Sequence, residues 1–242
     1  MNNNSSATDD VSAKHRAKKR FGQNFLHDQN MIEKIVRSIQ PKPGDSLVEI
    51  GPGLGALTAP VLSKAGSIDV VELDNDVLPH LRNACDGLGE LTIHSSDALK
   101  FNYATLQNGD KPLRLIGNLP YNISSPLLFH LLEQPTPILD MHFMLQLEVV
   151  QRMVAEPGNK QFGRLTVMLA YHSHCELLFK VPPGSFSPPP KVMSAIVRLI
   201  PHASPPWPAS DYTLFSDVVR TAFNQRRKTL SNSLKPFCDA QI

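Results

Sequence analysis

Residues 46–65 read SLVEIGPGLGALTAPVLSKA. A short apolar run, SLVEI, meets a glycine-rich turn and then ALTAPVLSKA, which has the pattern of a helix. Strand, tight turn and helix form the repeating unit of a parallel sheet, because a parallel strand returns only through a crossover. IDVVEL, NDVLPHLRNAC, LTIHSSD and PLRLIGN continue the alternation. Upstream, DQNMIEKIVRSI predicts a helix capped by Asp28. Its apolar face is Met31, Ile32, Ile35, Val36 and Ile39, and PKPG stops it.

Each strand of this series ends on a polar residue or glycine. Gly51, Glu72, Asp97 and Asn118 are spaced by 21, 25 and 21 positions, about one βα unit each. Ligands of open α/β sheets bind beyond the carboxyl ends of the strands, so these four positions converge on one crevice.

In the second half, HFMLQLEVV, LTVMLAYHSHCELLFKV and SAIVRLI read as strands with a helical segment between, the last pair suiting an antiparallel edge. PHASPPWP then reads as a linker. YTLFSDVVRTAFNQRRKTLSNSL follows as a helical stretch, with Leu214, Phe215, Val218, Val219, Ala222 and Phe223 on its apolar face. That last element is too short to fold alone.

The chain of 242 residues is 41% hydrophobic and 19% charged, enough for a substantial core. No run approaches the roughly 18 apolar residues of a membrane helix. Residues 1–15 lack a signal-peptide apolar region and read as a disordered lead. Cys85, Cys175 and Cys238 show no CxxC spacing, which suits a reduced, cytoplasmic protein. The nine histidines show no metal spacing; His172 and His174 would share a strand face, as a surface pair. A net charge of +2 does not by itself mark a nucleic-acid binder. Two basic runs do suggest phosphate contacts: Lys14, Arg16, Lys18, Lys19 and Arg20, then Arg226, Arg227 and Lys228. Solvated faces would look the same.

The turn EIGPGLGAL needs glycine wherever φ is positive or a ligand presses on the backbone. Glu72, about 20 positions on, suits ribose hydroxyls. A dinucleotide site asks for glycine at i, i+2 and i+5, yet after Gly51 and Gly53 the chain has Ala56. Pro52 also removes an N–H from a would-be pyrophosphate cradle. A nucleoside ligand without phosphates fits better, with Asp97 accepting from an adenine amine.

EIGPGLG, VVELD, DAL and NLPY in this order resemble the S-adenosylmethionine-dependent methyltransferases. With RFGQNFL at 20–26 and FSPPPKVMSAIVRL at 186–199, the chain resembles the small-subunit rRNA adenine N6,N6-dimethyltransferases over residues 16–235. The resemblance implies a Rossmann-like class I methyltransferase fold: α/β, a mostly parallel seven-stranded sheet with helices on both faces. It implies a catalytic domain over 16–200 and a small helical C-terminal domain over 201–242, truncated after RRKTLSNSL. It also implies S-adenosylmethionine as cofactor, with Asn24, Leu26, Gly51, Gly53, Glu72, Asp97 and Asn118 around it. Asn118, Leu119, Pro120, Tyr121 and Phe186 would serve the target base. Leu147 departs from the family, which usually carries lysine there.

The implied reaction is dimethylation of two adjacent adenosines near the 3′ end of small-subunit rRNA. It would be carried out by a monomer on a pre-ribosomal small subunit, with neither metal nor membrane. An exocyclic adenine amine is a poor nucleophile, and attack on a sulfonium methyl needs alignment more than prior deprotonation. The Asn118 side-chain oxygen and the Leu119 carbonyl can accept its two N–H bonds. Pro120 holds Leu119 extended, which aims that carbonyl. Tyr121 offers a face for an unstacked base. Two alternatives remain: a resistance-type methylase of large-subunit rRNA, and an assembly factor that makes no demand on Asn118.

Overall fold

In the computed structural model, which describes residues 24–107, 109–120, 123–224 and 228–238, the first helix is Gln29–Ile39 (α1). The Met31 N–H donates to Asp28 Oδ1 at 3.2 Å, which supplies the predicted cap. Ile32, Ile35, Val36 and Ile39 are buried, and Gln40 ends the helix in the left-handed region with φ 52°. The basic run at 14–20, Tyr121, Arg226 and Arg227 lie outside the described residues.

The expected βα series follows. Its strands are Ser46–Ile50 (β2), Ser67–Glu72 (β3), Glu90–Ser95 (β4), Leu113–Asn118 (β5) and Ile138–Gln146 (β6). Between them run the helices Thr58–Ala65 (α2), Leu78–Cys85 (α3) and Ser124–Leu132 (α4). These strands are mutually parallel in the order β4-β3-β2-β5-β6. Ser173–Val181 (β7) and Ser194–Pro201 (β9) complete a seven-stranded sheet, with β9 antiparallel to both β6 and β7. Away from this sheet, Phe25–Leu26 (β1) pairs with Phe186–Ser187 (β8), Leu26 facing Phe186 in register.

Alternate side chains of each strand feed two separate cores, as a sheet covered on both sides requires. On one face, Leu47, Val70, Ile116 and Met144 pack with the apolar sides of α1, α2 and α3. On the other, Val48, Val71, Leu115 and Phe143 pack against α4 and against Leu147–Met153 (α5) and Arg164–His172 (α6).

Two local expectations need correction. HFMLQLEVV does not stay a strand, since Gln146 pairs with Ser194, the first residue of β9. β9 does not extend past that point; after one more bond, from the Leu147 N–H to the Met193 carbonyl at 2.9 Å, the backbone turns into α5 and satisfies its own hydrogen bonds. His172 and His174 do not share a strand face either, because α6 ends at His172 and β7 starts at Ser173. His172 Nε2 sits 2.8 Å from the Tyr212 hydroxyl instead.

The C-terminal stretch forms Tyr212–Asn224 (α7) and Leu230–Cys238 (α8). Aromatic contacts join α7 to the region around α6: Tyr171 to Phe215 at 4.7 Å and Phe162 to Phe223 at 5.9 Å. Leu214, expected on the apolar face, is instead 51% exposed, and Val219 is buried.

A partly buried ion cluster holds α1 to the sheet. Arg114 on β5 donates to both oxygens of Asp140, at 2.9 and 2.8 Å, and to Asp45 at 2.7 Å. It also donates to the carbonyls of Ile39 and Gln40, which a helix end leaves without partners.

Candidate active site

The carboxyl ends of β2, β3, β4 and β5 open into one cavity of about 1000 Å³. Gly51, Glu72, Asp97 and Asn118 line it, as the strand-end spacing predicts, and so do Asn24, Leu26, Gly53, Leu119 and Pro120, which the resemblance or the glycine turn suggested. Phe186 does not; it is 3% exposed in the core beneath β1, and its neighbour Ser187 reaches the cavity. Tyr121 is the one expected site residue outside the described set.

At the end of β2 the Gly51 N–H donates to the Val71 carbonyl at 2.9 Å, and the chain then swings away from the sheet. Gly53 has φ +55°, which favours glycine, and a Cβ there would sit 3.3 Å from the Phe25 ring, which would have to give by a few tenths of an ångström. The Gly53 N–H points back at Glu72 Oε2, at 3.3 Å, and the Asp74 N–H donates to Glu72 Oε1 at 2.8 Å. These bonds fix the carboxylate, and each oxygen keeps a lone pair for a ligand hydroxyl. Glu72 is 9% exposed, and burial raises its carboxyl above the ordinary range despite its backbone donors.

Asp97 Oδ1 accepts from the Leu99 N–H at 3.0 Å. Its Oδ2 has no partner among the described residues. Asn118 Nδ2 donates to the Asn24 carbonyl at 3.2 Å, which leaves Oδ1 unengaged among the described residues. The Leu119 N–H is taken by the Met144 carbonyl at 3.2 Å, while its own carbonyl accepts no bond from a described residue. Two fixed acceptors therefore stand next to each other at the cavity wall.

Among the lining residues missed at the sequence level, three bear most on the site. A Cβ on Gly117 would overlap the Ile50 carbonyl oxygen, so only glycine lets β5 approach β2 just before Asn118. Its signal was a glycine inside a strand. Glu49 in SLVEI is 2% exposed, and alternation alone could have flagged a carboxyl on a buried face. Ser187 enters through the β1–β8 pairing, for which no local signal exists.

The donor set suits S-adenosylmethionine. The cavity is lined by three carboxyls, of Glu49, Glu72 and Asp97, and by no lysine or arginine among the described residues. That balance favours a cation and disfavours a pyrophosphate. The buried Oε2 of Glu49 has no partner among the described residues, and the glycine turn leaves bare backbone for a close ligand.

The ribosomal RNA adenine dimethylase family model matches residues 14–241. The chain is 57% identical over 221 residues to a ribosomal RNA small subunit methyltransferase A of Pseudomonas fluorescens, covering 91% of this chain and 81% of the relative. It is 55% identical over 227 residues to that of Pseudomonas aeruginosa, covering 94% and 85%. The structure is similar to a dimethyladenosine transferase from Plasmodium falciparum, with TM-score 0.76 and 30% identity over 87% of this chain and 74% of that one. It is also similar to the 23S rRNA methyltransferase ErmE, with TM-score 0.72 and 29% identity over 87% and 83%. The chain belongs to the ribosomal RNA adenine dimethylase family.

Proposed function

We propose that this chain, an S-adenosylmethionine-dependent rRNA adenine dimethyltransferase, methylates N6 of two adjacent adenosines near the 3′ end of small-subunit rRNA. It acts as a monomer on a pre-ribosomal small subunit in the cytoplasm, with residues 16–200 as catalytic domain and 201–242 as a helical domain aiding substrate grip. No helix among the described residues is long and apolar enough to cross a membrane.

The observation that carries the reading is the pair of acceptors, Asn118 Oδ1 and the Leu119 carbonyl, without partners among the described residues at the edge of a cavity fit for the cofactor. When bound, the cofactor supplies an electrophilic methyl group on a sulfonium. Gly51 and Gly53 give its amino-acid part a bare backbone, Glu72 accepts from its ribose and Asp97 from its adenine amine. Asn24 and Leu26 border it. Asn118 and Leu119 take the two N–H bonds of the target amine and aim its lone pair, and the proton lost from N6 passes to water. Pro120 holds the Leu119 carbonyl in place. Tyr121 and Phe186 flank the base, Tyr121 as a stacking face. Phe186 sits too deep for this in the present arrangement, so base entry has to expose its ring.

Small-subunit relatives at 57% identity support this substrate over the large-subunit alternative, whose structural relative is 29% identical. The test incubates the protein and labelled S-adenosylmethionine with small subunits, large subunits, naked rRNA and DNA, then identifies the labelled nucleoside. Dimethyladenosine confined to small subunits is expected. Label in large subunits favours the resistance-type reading, and binding to small subunits without label leaves only the assembly role.

A further inference from the structure

Glu49, two residues before Gly51 on β2, adds a carboxyl to the cavity but is assigned no contact with cofactor or base above. It is 2% exposed, lines the cavity, and keeps Oε2 without a partner among the described residues. In register it stands beside Val70 of β3 and Ile116 of β5, so neither flanking strand offers it a cation. On the same row, beyond Ile116, comes His142 of β6. From the helices above, Thr58 of α2 and Cys85 of α3 act on it, and Glu72 acts from the end of β3. The other titratable side chains lining the cavity are His27, His80 and Asp97.

We propose that Glu49 distinguishes the sulfonium cofactor from its thioether product, S-adenosylhomocysteine, by giving up a proton only when the charged ligand binds. This rests on the proposed placement of the cofactor in this cavity. A buried carboxyl without a cation favours its neutral form. Burial raises Glu49 to about 7, with the Thr58 hydroxyl opposing and Glu72 adding to the shift. A sulfonium charge in the cavity stabilises the carboxylate and drives the proton out to solvent. The product lacks that charge, so the carboxyl takes a proton back and its repulsion with Glu72 is relieved. Cofactor is thereby held, and spent product is let go.

Linkage makes the idea measurable, since a ligand that prefers the ionised form releases protons and binds more tightly as pH rises. Titration calorimetry of the whole chain with each ligand, in two buffers of different ionisation heat, counts the protons. For a group titrating near 7, S-adenosylmethionine affinity should rise about tenfold between about pH 6 and pH 8, with proton release at the acidic end. S-adenosylhomocysteine should show a clearly smaller rise. In Glu49→Gln, both the proton release and the pH dependence should vanish. Equal proton release for the two ligands on the wild-type chain overturns the inference, and that comparison needs no variant. So does a folded Glu49→Gln that retains the linkage. Glu72→Ala separates the two levels: unchanged cofactor affinity there refutes the cavity assignment itself, whereas weakened affinity alongside unaltered linkage in Glu49→Gln refutes only the role of Glu49.

Discussion

Asn118 and Asn24, 94 positions apart in sequence, meet where the Asn118 amide donates to the Asn24 carbonyl at 3.2 Å. That bond sets which end of the Asn118 side chain faces a ligand. Asn118→Ala removes an acceptor that aligns the amine, and misalignment near a reacting centre costs on the order of a hundredfold in rate. Asn118→Asp keeps an acceptor but sets a carboxylate against the Asn24 carbonyl, so it too should lose most activity. Single-turnover rates at saturating cofactor check this.

Gly117→Ala tests the close approach of β5 to β2. The added methyl overlaps the Ile50 carbonyl, so the strand must shift just before Asn118. Overpacking of this kind typically costs about 1–3 kcal/mol. Activity should fall further than the loss of folded protein accounts for, as melting curves beside rates would show.

Arg114→Met should be among the most destabilising single changes in the chain. It strips Asp45 and Asp140 of their shared cation and leaves the Ile39 and Gln40 carbonyls without donors. Removing one partner of a fully buried ion pair costs about 3–5 kcal/mol, and with both aspartates partly exposed the loss here should lie toward the lower end. Urea unfolding should show a lower midpoint with an unchanged slope.

His142 and Glu49 should tilt the stability profile in opposite directions. Burial lowers His142 to about 4, although Asp140 pulls the other way. Its neutral form is thus favoured on folding, a contribution present above its unfolded value of about 6.5 and lost as pH falls toward 4. Glu49 is raised to about 7, so its contribution is complete below its ordinary 4.5 and lost as pH rises through 7. His142→Gln should flatten the acid side of the profile by up to about 1.4 kcal/mol per pH unit, and Glu49→Gln should flatten the neutral side. Denaturant unfolding across that range reads both.

The order of strands and helices through β5 was legible because each element is specified by neighbours within about one turn or pleat. The Asp28 cap, the glycine turn and the polar strand ends Glu72, Asp97 and Asn118 belong to this class, and so does their convergence, which follows from parallel βα repetition. Where β9 inserts between β6 and β7 was not legible, because that choice depends on which sheet edge is still open. For the same reason HFMLQLEVV splits at Gln146, where the partner strand runs out. The pairing of Leu26 with Phe186, and the orientation of Asn118 by Asn24, join segments too far apart for any local pattern to register. Sequence alone thus determined that the polar strand ends Glu72, Asp97 and Asn118 meet at one cavity, but not that Glu49 and Gly117 line it as well. Tertiary structure decided which of their atoms remain free there, because burial and long-range partners set hydrogen bonding and charge.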